Sequence, residues 1–316
     1  MISEKEYKIK SVMLGHAVGD ALGVPVEFYS REELDEGPVT DMEGFGTYPF
    51  PAGCWSDDTS MSLAELDSLA NGKADYDEIM QNFAKWYNED EYTPTGEMFD
   101  VGNTCSMAIE NYFKRKMLPL DCGLSGEHSN GNGSLMRINP FVLFSLFNGG
   151  GEMRLDLIRN GSMLTHAHVR SQIGCEIYAF ILKELLKKPD KASVSLGLQK
   201  AYEELSEEPE IRHYSRIFDA DFENTDRSLI KSAGYIVDTL EAAVWCLLTT
   251  DSYKDCVLKA VNLGDDTDTV AAVAGGLAGA LYGFDSIPEA WLDALKRKDY
   301  IEEMCNRASL NWNDGN

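Results

Sequence analysis

The apolar residues of this chain recur at helical spacing along nearly its whole length. One predicted helix face, spaced at i, i+3, i+4, i+7 and i+8, consists of Cys105, Ala108, Ile109, Tyr112 and Phe113. A second face runs through residues 173–185 and is followed by Lys187, Lys188 and Pro189, which are typical of a helix end. Sustained alternation of apolar and polar residues, the pattern of a strand, is hard to find. The pattern predicts an all-α protein.

Two of the predicted helices consist largely of glycine and alanine. They cover residues 15–23 and 271–280. Each internal glycine lowers helix propensity by roughly 1 kcal/mol relative to alanine. Because small side chains allow two backbones to approach closely, we expect these two helices to pack together at the centre of the fold.

The chain shows no internal boundary. No Gly/Ser-rich or Pro-rich linker divides it, which favours a single domain covering residues 1–316. Residues 189–226 are polar and acidic, and we expect them to form an exposed excursion from that domain.

Charge and cysteine content narrow the class of protein. The 53 acidic and 28 basic side chains give a net charge of −25, which disfavours nucleic acids and anionic membranes as partners. A phosphorylated ligand can still bind where metal ions or backbone N–H groups supply a positive field. The seven cysteines form no CxxC pair, and the charged N-terminus is unlike a signal peptide. We therefore expect a soluble cytoplasmic protein with buried, reduced thiols.

Two aspartate clusters lie more than 200 positions apart. Residues 55–60 read WSDDTS and residues 264–269 read GDDTDT, and each cluster comes just before an apolar helical pattern. One Ser, Thr or Asp is enough to cap a helix, whereas adjacent carboxylates repel one another unless a cation neutralises them. Hard oxygen ligands of this kind suit Mg²⁺, Mn²⁺ or Ca²⁺ rather than zinc. The sequence therefore predicts a divalent metal site built from both clusters.

Other polar residues near these patterns are less specific. Glu27 follows Pro25, which is expected to end the first helix; taken alone it is typical of a solvated loop residue, and beside the clusters it is a candidate metal ligand or acid/base. Residues 130–137, NGNGSLMR, form a Gly-rich turn without the lysine of a P-loop. His166 and His168 have no matching Cys or His cluster, so zinc is disfavoured.

Seven segments in order resemble the ADP-ribosylglycohydrolases of the dinitrogenase reductase-activating glycohydrolase type. They are GHAVGDALGVPVEF, WSDDTSMSLA, FDVGNTC, GNGSLMRINP, LTHAH, GYIVDTLEAAVW and NLGDDTDTVAAVAGGLAGALYG. The resemblance implies a compact, orthogonal helical domain with a central cleft that holds two Mg²⁺ or Mn²⁺ ions. It implies cleavage of the N- or O-glycosidic bond between ADP-ribose and a protein side chain or a small acceptor.

The resemblance also assigns candidate site residues. The implied metal ligands are Ser56, Asp57, Asp58, Asp266, Asp268 and Thr269. The implied catalytic residues are Glu27, Asp57, Asp58 and Asp100, with Glu27 matching the family's mobile glutamate. The implied contacts to ADP-ribose are Asn132, Gly133, Ser134, His166 and Tyr235.

Some of these positions have a second interpretation. Asp100 equally suits an N-cap for the following helix, and Tyr235 suits core packing as well as stacking on adenine. Asp265 stands where many members of the family have glycine, so it is given no ligand role. His168 is a weaker candidate than His166, and His16 is expected to be a core or pairing histidine.

Three other functions compete with a hydrolase of ADP-ribosyl bonds. A helical terpenoid synthase needs DDxxD runs, and these are absent because Met61 and Thr269 occupy the last positions. A catalytically silent ADP-ribose-binding protein on the same fold is disfavoured by the intact metal residues and Glu27. A hydrolase of another ribosyl compound stays open, as does the acceptor, which could be arginine, serine, a base or a metabolite.

Overall fold

This computed structural model describes residues 2–313, which form helices joined by loops. Its α-helices are Glu4–Gly23 (α1), Arg31–Glu36 (α2), Asp57–Leu69 (α3), Tyr76–Glu89 (α4), Asn103–Phe113 (α5), Asn139–Phe147 (α6), Leu155–Met163 (α7), Val169–Lys187 (α8), Lys191–Leu205 (α9), Ile236–Leu248 (α10), Tyr253–Val261 (α11), Thr267–Tyr282 (α12), Glu289–Ala294 (α13) and Lys298–Asn311 (α14). Short 3₁₀ segments cover Val24–Val26, Pro119–Asp121, Pro209–Phe218, Phe222–Asn224, Arg227–Leu229 and Phe284–Ser286. Within these residues extended pairing is limited to two isolated bridges. The prediction of an all-α fold is confirmed.

The two glycine-rich helices, α1 and α12, pack against each other at the centre of the fold. They run antiparallel: a Cβ atom on Gly15 would lie 2.5 Å from the Gly275 carbonyl oxygen, and one on Gly23 would lie 2.3 Å from the Asp268 Cα. A Cβ atom on Gly19 would lie only 2.1 Å from the Ala271 carbonyl oxygen. The contact is therefore made between backbones, and only glycine fits at these positions. The predicted central pair is confirmed.

The apolar faces predicted for α5 and α8 are also observed. Cys105, Ala108 and Ile109 are buried in α5, and Tyr112 and Phe113 at its end are half-buried against the core. The whole face from Ile173 to Leu185 is buried in α8. Both helices contribute to one continuous apolar core that also includes α1, α3 and α12. Helix-forming periodicity therefore identified the buried faces correctly.

The acidic segment after α8 is partly attached to this core. Helix α9 packs on α8, and a Cβ atom on Gly197 would meet the Ile181 Cα at 2.6 Å. Within α9, the side chains of Val194, Ala201 and Leu205 are buried. Residues 189–226 contain ten acidic and four basic side chains, and the acidic pair Glu203–Glu204 is exposed.

All seven cysteines are buried and unpaired. In residues 2–313 no helix is both long enough and apolar enough to span a lipid bilayer.

The two aspartate clusters lie at the N-termini of α3 and α12, beside the C-terminal end of α1. Asp20 in α1 fixes the first turn of α3: its carboxylate accepts the Ser56 N–H (2.8 Å), the Thr59 N–H (3.0 Å) and the Thr59 hydroxyl (2.6 Å). Gly23, three residues further along, brings α1 against the start of α12. The central helix pair therefore positions both clusters.

Candidate active site

Three carboxylates from three helices converge at this end of α1. Asp20, Asp58 and Asp268 each offer an oxygen within 4.8 Å of the others, and all three side chains are buried. Asp58 Oδ1 and Asp268 Oδ2 accept no hydrogen bond. Because a buried acceptor without a partner loses its hydration at considerable cost, these two oxygens indicate a site for a cation.

A second group of carboxylates shares Asp268 with the first. Glu27, Asp100 and Asp268 also offer oxygens within 4.8 Å of one another, and the buried Glu27 Oε2 accepts no hydrogen bond. Glu27 follows the 3₁₀ turn Val24–Val26, so Pro25 marks the end of the first helix as predicted. Its carbonyl accepts the Thr47 hydroxyl at 2.6 Å, which ties the Glu27 loop to the next loop.

The alternative interpretation of Asp100 as a helix cap is wrong. The N-cap of α5 is Gly102, and Asp100 lies two residues before it with φ +53°. Its half-buried side chain instead lies beside Glu27 and Asp268. The structure therefore brings Asp100 into the cleft.

Burial and crowding raise the pKa values of these carboxyl groups. Burial, followed by the Asp100 charge, raises the pKa of Glu27 to about 8. Burial, followed by the Asp266 charge, raises the pKa of Asp100 to about 6. The pKa values of Asp58 and Asp268 are also raised, first by burial and then by neighbouring carboxylates. Without a cation, burial and mutual repulsion therefore favour the protonated form of these groups, whereas a bound cation would favour the charged form.

The other candidate ligands surround this group. The hydroxyls of Ser56 and Thr269 lie 3.0 and 3.2 Å from the Asp58 Oδ2. The Asp57 carboxylate accepts the Gly102 N–H at 3.4 Å, and Asp266 makes no capping hydrogen bond for α12. The structure therefore brings together carboxylate and hydroxyl oxygens, a donor set that fits Mg²⁺ or Mn²⁺.

The Gly-rich turn lies against the second aspartate cluster. The Asn132 amide donates to the Asp266 carboxylate at 2.8 Å and to the Thr239 hydroxyl at 3.0 Å. Gly133 admits no side chain, because a Cβ atom there would lie 2.8 Å from the Cys105 sulfur. Ser134 is fully buried, and its hydroxyl lies 3.1 Å from that of Ser162, so its side chain is directed into the core.

His166 supports the turn from below. The Arg137 guanidinium donates to the Thr165 hydroxyl oxygen at 2.6 Å, and that hydroxyl lies 2.9 Å from the His166 Nδ1. The other ring nitrogen, Nε2, lies on the side of Gly131 and Gly133. Burial, followed by the Arg137 charge, lowers the pKa of His166 to about 3, so the ring is neutral.

Two other histidines, His16 and His168, make hydrogen bonds within the fold. His16 is buried with its Nδ1 3.3 Å from the Asn139 amide, so the expectation of a core histidine is confirmed. His168 is the N-cap of α8 and accepts the Arg170 N–H.

Tyr235 lies next to the Gly-rich turn and is half-buried. It forms an isolated antiparallel bridge with Gly131, and the Ile236 N–H donates to the Asn130 carbonyl at 3.1 Å. A cavity of about 430 Å³ opens there, lined by Glu127, His128, Asn130, Gly131, Arg170, Gly234 and Tyr235. An aromatic face is therefore available beside the turn.

Sequence patterns missed three residues that shape the site. For Asp20 the signal was a carboxylate within a predicted helix of glycine and alanine, a setting that indicates a buried charge. Tyr48, whose side chain offsets part of the rise in the pKa of Glu27, left no recognisable signal. Glu65 in α3 forms a fully buried ion pair with Arg137, which fastens the Gly-rich turn to the helix that carries Asp57 and Asp58.

Comparison with known proteins identifies the family of this chain. A family model described as ADP-ribosylglycohydrolase matches residues 1–315. This chain belongs to the ADP-ribosylglycohydrolase family. It is a hydrolase that cleaves the glycosidic bond between ADP-ribose and an acceptor.

Its relatives in this family match over most of their length. The ADP-ribosylarginine hydrolase Tri1 of Serratia proteamaculans is 34% identical over 312 residues, which are 96% of this chain and 80% of that protein. The ADP-ribosyl-(dinitrogen reductase) glycohydrolase of Rhodospirillum rubrum is 34% identical over 289 residues, which are 90% of this chain and 89% of that protein. A solved structure described as an ADP-ribosylglycohydrolase-related protein complex is similar with a TM-score of 0.82 and 30% identity, over 98% of this chain and 99% of that one.

Proposed function

We propose that this glycohydrolase uses two Mg²⁺ or Mn²⁺ ions to release ADP-ribose from arginine side chains. The proposal rests on two sets of three carboxylates that share Asp268. Together these sets contain three buried oxygens without a hydrogen-bond partner. The residues proposed to hold the ions are Ser56, Asp57, Asp58, Asp266, Asp268 and Thr269. When bound, the ions supply positive charge to the ribose hydroxyls and an attacking water.

Arginine is proposed as the acceptor because a 34% identical relative is named an ADP-ribosylarginine hydrolase. The net charge of −25 is consistent with a cationic acceptor such as a guanidinium group and disfavours nucleic acid. The seven buried free thiols support work in a reducing compartment, the cytoplasm. Residues 1–316 are proposed to act as one domain.

The residues of the chain divide the remaining tasks. Cleavage of a glycosidic bond develops positive charge at the anomeric carbon, and a carboxyl group near the leaving nitrogen must handle a proton. Glu27 is proposed for that proton because its Oε2 is buried, has no partner and belongs to a loop. Asp100 is proposed to hold the ribose, and Asp57 and Asp58 to orient the water.

The Gly-rich turn is proposed to bind the diphosphate of ADP-ribose. Its backbone N–H groups replace the lysine of a P-loop, and Gly133 keeps the surface free of side chains. Asn132 and His166 hold this backbone in place, with Ser134 fixing it to the core. Tyr235 is proposed to stack on the adenine.

The test is release of ADP-ribose from a peptide that carries one ADP-ribosylated arginine. We expect release with Mn²⁺ or Mg²⁺ and none with excess chelator. Asp58→Asn should weaken metal binding in calorimetry and lower release by roughly 100-fold or more, whereas Asp299→Asn, at an exposed position on α14, should match the wild type. Release that persists in chelator would contradict metal dependence. Tight ADP-ribose binding without release from any acceptor would instead identify a silent binder.

A further inference from the structure

Two neighbouring residues at the rim of the active site adopt a backbone conformation that disfavours side chains. Phe28 has φ +69° and Asp265 has φ +62°. Left-handed backbone is unfavourable for residues with a Cβ atom, least so for Asp and Asn and more so for a bulky residue such as Phe. Such a conformation persists only where the surrounding structure enforces it.

The two residues enforce this conformation on each other. The Phe28 N–H donates to the Asp265 carbonyl at 2.8 Å, and the Asp265 N–H donates to the Tyr29 carbonyl at 2.8 Å. The backbones are so close that a Cβ atom on Gly264 would lie 2.6 Å from the Arg31 nitrogen. The Glu27 loop and the turn before α12 are therefore joined at this point.

This junction is also where both chain segments emerge from the buried site. Glu27 is 5% exposed and the next residue, Phe28, is 69% exposed. In the other segment Asp268 is buried, while Asp265 is exposed. An aromatic residue and an acidic residue, both exposed, are therefore hydrogen-bonded through their backbones, one residue away from Glu27 and from Asp266 respectively.

Neither side chain is buried in the fold. Phe28 is not among the residues that pack against the apolar core, and glycine would suit the backbone of Asp265 better than aspartate does. What the two residues share is chemistry that suits one class of group. A planar cation stacks on an aromatic face, and a guanidinium group pairs with a carboxylate through parallel N–H donors.

We propose that Phe28 and Asp265 form the subsite that binds the guanidinium group of the acceptor. This inference rests on the proposed function, in which Glu27 handles the proton of the leaving nitrogen. The acceptor leaves on the Glu27 side of the anomeric carbon, and the chain leads directly from Glu27 to Phe28. The subsite recognises the acceptor and leaves recognition of ADP-ribose to the rest of the cleft.

The experiment compares two substrates that differ only in acceptor. One peptide carries ADP-ribose on arginine, and a second of the same sequence carries it on serine in place of that arginine. The measured quantity is the ratio of kcat/KM for the arginine-linked peptide to kcat/KM for the serine-linked peptide. This ratio isolates the acceptor, because ADP-ribose and the metal site are common to both reactions.

Loss of the subsite should lower this ratio. Phe28→Leu, which keeps apolar volume but removes the aromatic face, should lower it roughly threefold. Asp265→Asn and Asp265→Gly, both compatible with left-handed backbone, should lower it about fivefold. The matched controls are Phe45→Leu, an aromatic residue with φ +60° and 73% exposure, and Glu289→Gln, an exposed carboxylate on α13. Both controls should leave the ratio at the wild-type value.

The possible results separate the two proposals. Wild-type enzyme that releases ADP-ribose from neither peptide would contradict the proposed function itself. Wild-type enzyme that prefers the arginine-linked peptide, combined with variants whose ratio does not change, would overturn only the guanidinium subsite. An equal fall in the ratio for the controls would also overturn it, because the effect would then come from general surface charge or loop stability.

Discussion

At the scale of single residues, Glu27 differs from the carboxylates around it in how its backbone is held. Asp57 and Asp268 lie in the first turns of α3 and α12, so their backbones are fixed by helical hydrogen bonds. Glu27 lies on a loop between a 3₁₀ turn and Phe28, and its carbonyl is held by the Thr47 hydroxyl. The Glu27 backbone is therefore held by a few contacts with neighbouring loops, which can be exchanged during a reaction cycle more readily than the hydrogen bonds of a helix start.

Glu27→Gln should separate proton handling from metal binding. The amide preserves the shape of the side chain but holds no titratable proton, so single-turnover release of ADP-ribose should fall by roughly 100-fold or more. The rise in melting temperature on adding Mn²⁺ should change much less, because the six proposed metal ligands are intact. Glu32→Gln, at an exposed position of α2, is the control. If the Glu27→Gln variant kept its turnover, the proton-handling role would have to be assigned to Asp57, Asp58 or Asp100.

At the scale of elements, the contact between α1 and α12 determines the geometry of the carboxylates. Asp20 lies in α1, next to Gly19. Asp268 lies in α12, and its backbone contacts Gly23. In an exposed helix, exchange of glycine for alanine raises stability by about 1 kcal/mol. In this interface the added methyl group would overlap the backbone of the partner helix, so the sign should reverse.

Gly19→Ala should therefore destabilise the protein and weaken its metal site. Its Cβ atom would lie 2.1 Å from the Ala271 carbonyl oxygen, and overpacking of this kind costs about 1–3 kcal/mol or more. We expect a lower melting temperature in thermal denaturation and a lower Mn²⁺ affinity in calorimetry. Gly37→Ala is the control, because its Cβ atom would meet only the Glu33 carbonyl oxygen at 4.0 Å. Equal behaviour of the two variants would contradict a backbone contact at Gly19.

The elements also show what a sequence can and cannot predict. The faces of α5 and α8 and the pairing of the small-residue helices could be predicted because helical periodicity and residue size are local properties. The role of Asp20 in fixing the first turn of α3 could not be predicted, because its partners Ser56 and Thr59 are 36 and 39 residues away in the sequence. The sequence could not show whether Asp100 is a site residue or a helix cap, because the answer depends on whether α5 begins at Asn103 or earlier.

At the scale of the whole molecule, the crowded carboxylates make stability depend on pH. The folded pKa of Glu27 is about 8, and those of Asp20 and Asp100 are about 6, all above their values near 4 in an unfolded chain. The folded state therefore binds more protons than the unfolded state between these limits, and stability falls as pH rises. The buried His16 and His166 act in the opposite direction, but only below about pH 6.5, where an unfolded histidine is protonated.

Between pH 6.5 and 8 the metal-free protein should therefore lose stability. The Glu27 shift alone corresponds to about 2 kcal/mol over this interval, or a few degrees in melting temperature. Mn²⁺ bound to the proposed site of the folded state should remove most of the fall. Thermal denaturation in chelator and in Mn²⁺ at several pH values measures both effects, with Glu27→Gln as the comparison. A melting temperature that rises with pH in chelator would contradict the pKa shift of Glu27.

The contact between α1 and α12 has a consequence for divergence among relatives. Because the two helices touch through their main chains, the spacing between Asp20 and Asp268 is set by peptide groups, which are the same in every sequence. Apolar residues elsewhere in the core can then be exchanged, and the packing around them can adjust, without altering that spacing. A few glycines thus act as a template for the candidate site, and a relative that keeps them is expected to keep this spacing even where the rest of its core differs.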